Sequence, residues 1–295
     1  MDDLSILPSR RGEGFLAKID QYELIRELGG GGFGTVYLAK DTVSKVDYAG
    51  KGLPPEVKNS LEELEGIRAN FRLVSRLTHS HIARAYALHP AREVLYEEES
   101  VRQKPRVMPG DTLLVMEYAP GVTLSRWRRQ FPGGRVPLPQ ALEIARQVAS
   151  ALDYAHEQKI IHRDVKPSNV VVETRPDGRL AARVLDFGLA AEIRSSMGRV
   201  SREVRDTSGA RPYMAPEQWL GGPQGAATDQ YALAVLVHEL LTGAVPFASV
   251  FETNDPAVMM NAVTTLPPAI PGDLPRHVRA ALSKALAKKP GDRFA

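Results

Sequence analysis

Residues 162–169 read His-Arg-Asp-Val-Lys-Pro-Ser-Asn and lie between the apolar stretches "KII" and "VVV". An imidazole, a guanidinium, a carboxylate, an ammonium and an amide beside a core are unfavourable unless each has a partner. Such a segment either braces itself through reciprocal hydrogen bonds or is held in place for a substrate. In both cases the flanking chain has to fold around it. A sizeable core is available for this, because 43% of the 295 residues are apolar and 25% are charged, the ordinary balance of a globular chain.

Several classes of function fall away on composition. The formal charge is +3, and the basic residues are scattered in short pairs such as Arg128-Arg129, so no electrostatic footprint for nucleic acid is present. Without cysteine there are no disulfides, thiolate metal sites or cysteine nucleophiles, which fits a reducing, cytoplasmic setting. The N-terminal "MDDLSILPSRRGEG" is acidic and broken by Pro and Gly, unlike a secretory signal. The longest apolar run, residues 231–241, contains His238 and Glu239 and is too short to span a bilayer. No membrane segment is therefore expected in this chain.

The pattern changes character part-way along. After a leader over residues 1–21, "YELIREL" and "TVYLAKD" alternate as strands with "GGGGFG" as the turn between them. A short strand at "DYAGKGL" precedes a helical pattern that begins after Pro54-Pro55, with Leu61, Leu64, Ile67, Phe71 and Val74 spaced by three and four. Much of Ala87 to Asp111 is charged and Pro-containing and reads as a surface loop. "TLLVMEY" is again a strand, broken at residues 119–121. Beyond it, residues 138–158 place Leu138, Leu142, Ala145, Val148, Leu152 and Ala155 on one helical stripe. "DQYALAVLVHELLTG" is apolar nearly all round, as in a buried helix with Asp229 at its start. The expectation is an α+β chain with a small β-rich lobe over 22–117 containing one main helix, a hinge near 117–121, and a larger, mainly helical lobe over 118–295.

Gly29, Gly31 and Gly34 form G-x-G-x-x-G, a pattern shared by plain glycine-rich hairpins and several nucleotide sites. A dinucleotide fold needs a helix next, and a Walker loop needs Gly-Lys-Ser/Thr. Here the glycines lead into a strand through Gly34-Thr35-Val36. That makes a flap whose backbone can lie close over phosphates, because no Cβ obstructs the approach.

Two further apolar strands flank "PDG", a hairpin turn signal. The midpoint between Asn169 and Asp186 falls between Asp177 and Gly178, so an antiparallel hairpin brings the amide and the carboxylate side by side at its open end. Two hard oxygen ligands suit Mg²⁺, which takes few protein ligands and completes its shell with phosphate and water. The plainer reading is Asn169 as a turn residue and Asp186 as a cap. Asp164, five residues before Asn169, would then lie near the metal, where it could orient an incoming hydroxyl and accept its proton. Lys166 would offset phosphate charge there, with Arg163 and His162 bracing the loop.

Taken together, "GGGGFG", the lysine in "YAGK", "HRDVKPSN", "DFG", "APE" at 215–217, Asp229 in "TDQYALAV" and Arg293 in "GDRF" closely resemble the eukaryotic-type protein kinases, including those of bacteria, over residues 22–294. The resemblance implies a bilobal protein kinase-like fold with Mg-ATP in the cleft. Leu28, Gly29, Gly30, Gly31, Gly32, Phe33, Gly34 and Val36 would surround the nucleotide, with Met116 as gatekeeper and the backbone of Glu117 to Ala119 facing adenine. It further implies Asp164 as catalytic base, Asn169 and Asp186 as metal ligands, Lys51 on the phosphates, and Lys166 as the mark of serine/threonine specificity. Lys40 and Lys45, the other lysines considered for the phosphate role, follow the glycines too soon. Glu217 and Arg293 would pair structurally.

The chain departs from the family at two places. Asn70 stands where the helix normally carries the glutamate that holds the phosphate-binding lysine, with Glu63 seven residues earlier on roughly the same face. Ala210 stands where a threonine normally bridges Asp164 and Lys166. Between them, residues 189–211 hold Ser195, Ser196, Ser201, Thr207 and Ser208 among several arginines. A phosphate on Ser201, Thr207 or Ser208 could dock on Arg163 and order the segment. The expected function is transfer of the γ-phosphoryl group of ATP to protein hydroxyls, with self-association for autophosphorylation. A pseudokinase scaffold and a small-molecule kinase of related fold are the alternatives. Because the chain stops at "GDRFA", where the family's last helix normally continues, a longer protein is expected.

Overall fold

A computed structural model describes residues 6–7, 15–31, 34–53, 61–97, 107–187 and 210–295. Its described residues form two compact units, one made of residues up to Thr78 together with Ala83–Ala119, the other of His79–Ile82 and residues from Pro120 onward.

The first unit is a sheet of eight described strands. In chain order these are β1 (Ile6–Leu7), β2 (Ala17–Ile19), β3 (Tyr22–Gly31), β4 (Gly34–Asp41), β5 (Asp47–Gly52), β6 (Ala85–Pro90), β7 (Val94–Glu97) and β8 (Thr112–Glu117), with α1 (Leu61–Val74) between β5 and β6. The spatial order is β1-β7-β2-β3-β4-β5-β8-β6. Alternation buries Ala17, Ile19, Tyr22, Leu24, Tyr37 and Ala39 on one face, with Leu113 and Val115 from β8. The expected leader thus contributes β1 and β2 to the sheet.

The surface loop expected over Ala87 to Asp111 is corrected in part. β6 and β7 lie within it, and Ala91, Val94, Tyr96 and Val107 join the buried cluster. The Tyr96 hydroxyl donates to the Val107 carbonyl at 2.7 Å. Only the alternate residues Val94 and Tyr96 face inward, and the glutamates around them mask that signal in the sequence.

The second unit is mainly helical. It contains β9 (Val122–Thr123), α2 (Leu124–Trp127), α3 (Leu138–Glu157), β10 (Val170–Thr174), β11 (Leu180–Val184), α4 (Pro216–Trp219), α5 (Ala226–Thr242), α6 (Ala248–Phe251), α7 (Pro256–Thr265) and α8 (Arg276–Ala285). α5 is buried nearly all round and packs on α3, which also contacts β11. The stripe expected on α3 is rotated: Ala141, Ile144, Val148, Ala151, Leu152 and Ala155 are buried, while Leu142 is 42% exposed. The face that meets α5 and β11 decides this, since apolar residues outnumber the positions that one stripe can bury.

Candidate active site

The loop between α3 and β10 is held from below by one carboxylate. Asp229, fully buried on the first turn of α5, accepts the backbone N–H of His162 at 2.8 Å and of Arg163 at 2.7 Å, and receives His156 Nε2 at 2.8 Å. Arg163 sits at φ 64°, a left-handed conformation that costs a non-glycine residue about 1–2 kcal/mol. These charge-assisted hydrogen bonds offset that strain.

His162 is fully buried. Its Nδ1 accepts the backbone N–H of Asp164 at 3.2 Å, so Nε2 carries the proton and donates to the Leu185 carbonyl at 2.9 Å. The ring lies 4.6 Å from that of Phe187. A single imidazole therefore ties the loop bearing Asp164 to the segment bearing Asp186.

Asp164 and Lys166 are both buried, with the ammonium 3.0 Å from Asp164 Oδ2. Asn169, at the end of the turn Pro167–Asn169, donates through Nδ2 to the Asp164 carbonyl at 2.8 Å and to the same Oδ2 at 3.0 Å. The carboxylate is thus oriented by an ammonium and an amide together. With the amide nitrogen committed, the Asn169 oxygen is the atom suited to a cation.

The hairpin register is one residue from the expected one. Val170 pairs with Val184 and the Leu185 N–H donates to the Asn169 carbonyl at 2.8 Å, so Leu185 rather than Asp186 lies opposite Asn169. In continuous strands that slip would send the Asp186 side chain to the other face. Asp186 instead leaves the strand at φ 58°, and Asn169 belongs to a turn, so simple alternation does not govern either side chain. The turn causes the slip: Gly178 at φ 80° bonds back to Arg175, and Asp177 Oδ1 accepts the Arg179 N–H. One carboxylate and one amide oxygen form a hard, sparse donor set, which fits Mg²⁺.

The first unit carries the remaining candidates. Gly29, Gly30 and Gly31 continue β3 and pair with Val36, Thr35 and Gly34, with Leu28 at a bulge. The flap is therefore a ribbon drawn out to the glycines, and Gly32 and Phe33 at its tip lie outside the described residues. A Cβ on Gly29 would meet nothing within 4 Å, whereas one on Gly34, at φ 106°, would collide with the Gly52 carbonyl. Lys51 is buried on β5 between Val36 and Leu114. At its neighbour Gly50 a Cβ would lie 3.2 Å from Leu113 and 3.3 Å from Ala39, so the space beside this glycine is already filled. Met116 is buried between Ala49 and Ala85, and Ala119 is buried too. Glu117 exchanges bonds with Arg84, its N–H donating to the Arg84 carbonyl at 2.8 Å. Asn70 is half-buried on α1. Lys40 and Lys45 stand on β4 and in the turn after it.

Glu217 and Arg293 are brought together across 76 positions as a buried bidentate pair, with both bonds at 2.8 Å. The Thr228 hydroxyl donates to the same carboxylate. Burial raises the Glu217 carboxyl, but the bonds from Arg293 and Thr228 outweigh it and hold the group below its ordinary value.

Against this geometry, the protein kinase domain family matches residues 22–295. The chain belongs to the protein kinase domain family. It is 34% identical over 278 residues to the serine/threonine-protein kinase PknF of Mycobacterium tuberculosis, covering 92% of this chain and 53% of PknF. With the serine/threonine-protein kinase PrkC of Bacillus subtilis it shares 30% over 274 residues, covering 93% of this chain and 38% of PrkC. The chain spans about half the length, or less, of these curated relatives. The crystal structure of the Mycobacterium tuberculosis PknI kinase domain superposes with a TM-score of 0.66 at 27% identity, covering 97% of this chain and 94% of that one. The fold is that of a protein kinase domain.

In this kinase domain Ser195, Ser196, Ser201, Thr207 and Ser208 lie outside the described residues, while Ala210 is buried beside Asp164. Glu63 lies on α1, among residues whose side chains are not described. Among the described residues no helix is long and apolar enough to cross a membrane. Sequence reasoning missed a second network. The Tyr213 hydroxyl donates to Glu239 Oε2 at 2.5 Å, and Arg128 Nη2 donates to Oε1 at 2.6 Å. Burial and the neighbouring Glu239 hold the Tyr213 phenol well above its ordinary value. The available signal was Glu239 itself, since a carboxylate in a helix apolar all round requires partners.

Proposed function

We propose that this chain is a serine/threonine protein kinase domain that transfers the γ-phosphoryl group of ATP to a hydroxyl of a protein substrate. The observation that carries this reading is the Asp164 carboxylate held at Oδ2 by both Lys166 and Asn169. In this role Asp164 orients the attacking hydroxyl and takes its proton as the oxygen bonds to phosphorus and the bond to ADP breaks. Lys166, 3.0 Å from Asp164 Oδ2, holds the carboxylate in place and offsets charge on the transferring group. Asn169 and Asp186 would hold Mg²⁺, which when bound neutralises the triphosphate. Lys51 and the backbone of Gly29 to Gly34 bind the phosphates, and Glu117 to Ala119 bind adenine beside Met116. The names of the related PknF and PrkC support the serine/threonine class.

Regulation follows from the same residues. Phosphate on Ser201, Thr207 or Ser208, added by a second copy of the chain, pairs with Arg163 and orders the segment before Ala210. A scaffold that binds nucleotide without transfer is the second reading, and Asn70 and Ala210 favour it. Radiolabel transfer from Mg-ATP to the chain itself and to a generic basic protein separates the two. The kinase reading expects incorporation that falls by about 10²–10⁴ in Asp164→Asn. Nucleotide binding without transfer at any enzyme concentration supports the scaffold. Mass spectrometry that finds no phosphate between residues 189 and 211 after incubation overturns the regulatory part alone.

A further inference from the structure

Basic residues crowd along α8 and the turn that follows it. Residues 276–289 hold Arg276, Arg279, Lys284, Lys288 and Lys289 without one carboxylate, so this stretch carries a formal charge of +5 where the whole chain carries +3. Helical period sorts the side chains of α8. Val278, Leu282 and Ala285 are buried, whereas Arg276, His277, Ala280 and Lys284 are exposed on the opposite face.

Two of the five cations are bonded to the protein's own carbonyls. Lys288 Nζ donates to the Val263 carbonyl at 2.7 Å and lies 4.8 Å from the Phe247 ring centroid, and Arg279 Nε donates to the Leu274 carbonyl at 3.1 Å. Arg276, Lys284 and Lys289 are exposed and form no ion pair among the described residues, although Asp273 and Asp292 are near in sequence. Lys284 Nζ stands 4.5 Å from the ring centroid of Phe294. Phe294 is 43% exposed although its backbone is fixed: the Gln230 side chain accepts its N–H at 2.9 Å and donates to its carbonyl at 3.4 Å. The surface thus offers three uncompensated cations, one of them against an exposed aromatic ring that is held in place.

We propose that this face of α8, with Lys289 and Phe294, docks on the anionic headgroups of a lipid bilayer. Charge complementarity selects an anionic partner, and the aromatic ring selects among such partners. A bilayer presents a plane of phosphates with an apolar layer beneath it, which complements a phenyl ring set beside a lysine. An acidic peptide would neutralise the cations and leave the ring without a complement. Each Lys or Arg near an anionic bilayer strengthens binding about fivefold, so three give about 10²-fold over an uncharged surface. The contact is peripheral, and no part of the chain crosses the bilayer in making it.

The test is co-sedimentation of the full chain with lipid vesicles, and it requires no phosphoryl transfer. Binding is expected to vesicles of phosphatidylcholine mixed with phosphatidylglycerol and not to phosphatidylcholine alone. It should be lost between about 0.1 M and 1 M salt, as the screening length falls from about 10 Å to about 3 Å. No sedimentation with the anionic vesicles at the lower salt overturns the proposal. Arg276→Glu/Lys284→Glu should weaken binding at least about 25-fold. Arg129→Glu/Arg175→Glu removes equal charge from other exposed positions of the second unit and should stay within about twofold of the parent. Equal losses in the two double variants assign binding to net charge and overturn the proposal. If the α8 double variant does not fold, as read by its thermal melt, Arg276→Gln and Lys284→Gln singly should each cost about fivefold, and unchanged binding in both overturns it. Phe294→Ala should weaken binding about three- to tenfold, and no change removes the ground for a bilayer. Tighter binding to polyglutamate or to an oligonucleotide than to the vesicles overturns the proposal in favour of that partner.

Discussion

Arg163, at φ 64°, donates its backbone N–H to Asp229 at 2.7 Å, and the adjacent His162 N–H reaches the other oxygen of the same carboxylate. The backbone strain lies next to the candidate base, and the anchor lies on a different helix. Geometry at Asp164 thus depends on a residue that touches no reactant.

Asp229→Ala is therefore expected to leave the buried His162 N–H and the partly buried Arg163 N–H without their acceptor. At about 1–3 kcal/mol for each, stability should fall by roughly 2–6 kcal/mol. Urea unfolding would measure this, and a loss below about 1 kcal/mol would refute the anchoring role. Asp229→Asn keeps the shape and one acceptor, and should recover part of the loss.

The Glu217–Arg293 pair should behave as a buried ion pair that tolerates neither partner alone. Arg293→Ala is expected to cost about 3–5 kcal/mol. Arg293→Lys should not rescue it, because a single ammonium cannot form the bidentate contact. Thermal melts of the three proteins at pH 7 provide the comparison.

Glu217 also sets a pH dependence. Its folded-state carboxyl lies below the ordinary value of 4.5, so the unfolded chain binds the proton first as pH falls. The contribution is complete above that value and is lost as pH drops through the lower folded value. Stability measured from pH 6 downward should fall more steeply in the parent than in Glu217→Gln. Parallel curves would rule this out.

The two ends of the glycine ribbon should respond differently. Gly34→Ala places a Cβ against the Gly52 carbonyl at φ 106° and is expected to destabilise the first unit by at least about 1–3 kcal/mol. Gly29→Ala meets nothing within 4 Å, so it should leave the melting temperature unchanged while weakening nucleotide binding. Calorimetry of both variants with and without ATP separates the two effects.

Asn70→Glu tests the first departure from the family. A charge-assisted bond contributes about 1.5–3 kcal/mol against about 1 for a neutral acceptor, so phosphoryl transfer should quicken about tenfold. A slower variant in the same radiolabel assay would show that Lys51 does not take its support from position 70.

Local chemistry determined much of this protein before any folding partner was considered. Period-two alternation marked β3 and β4, an apolar run marked β8, spacing by three and four marked α1 and α3, and "PDG" set the hairpin that carries Asn169 and Asp186 toward one end. Those signals are legible because backbone periodicity and turn preference act over a few residues. Tertiary structure decided the rest. The buried face of α3, the entry of Val94 and Tyr96 into the sheet, the one-residue slip that sets Leu185 opposite Asn169, and the Tyr213–Glu239–Arg128 network all depend on which distant surface arrives. The Asp229 anchor joins residues 67 positions apart, and no local pattern specifies which N–H groups a buried carboxylate will meet. That choice belongs to the packing of α5 beneath the loop, because only there do the strain at Arg163 and the charge on Asp229 find their mutual compensation.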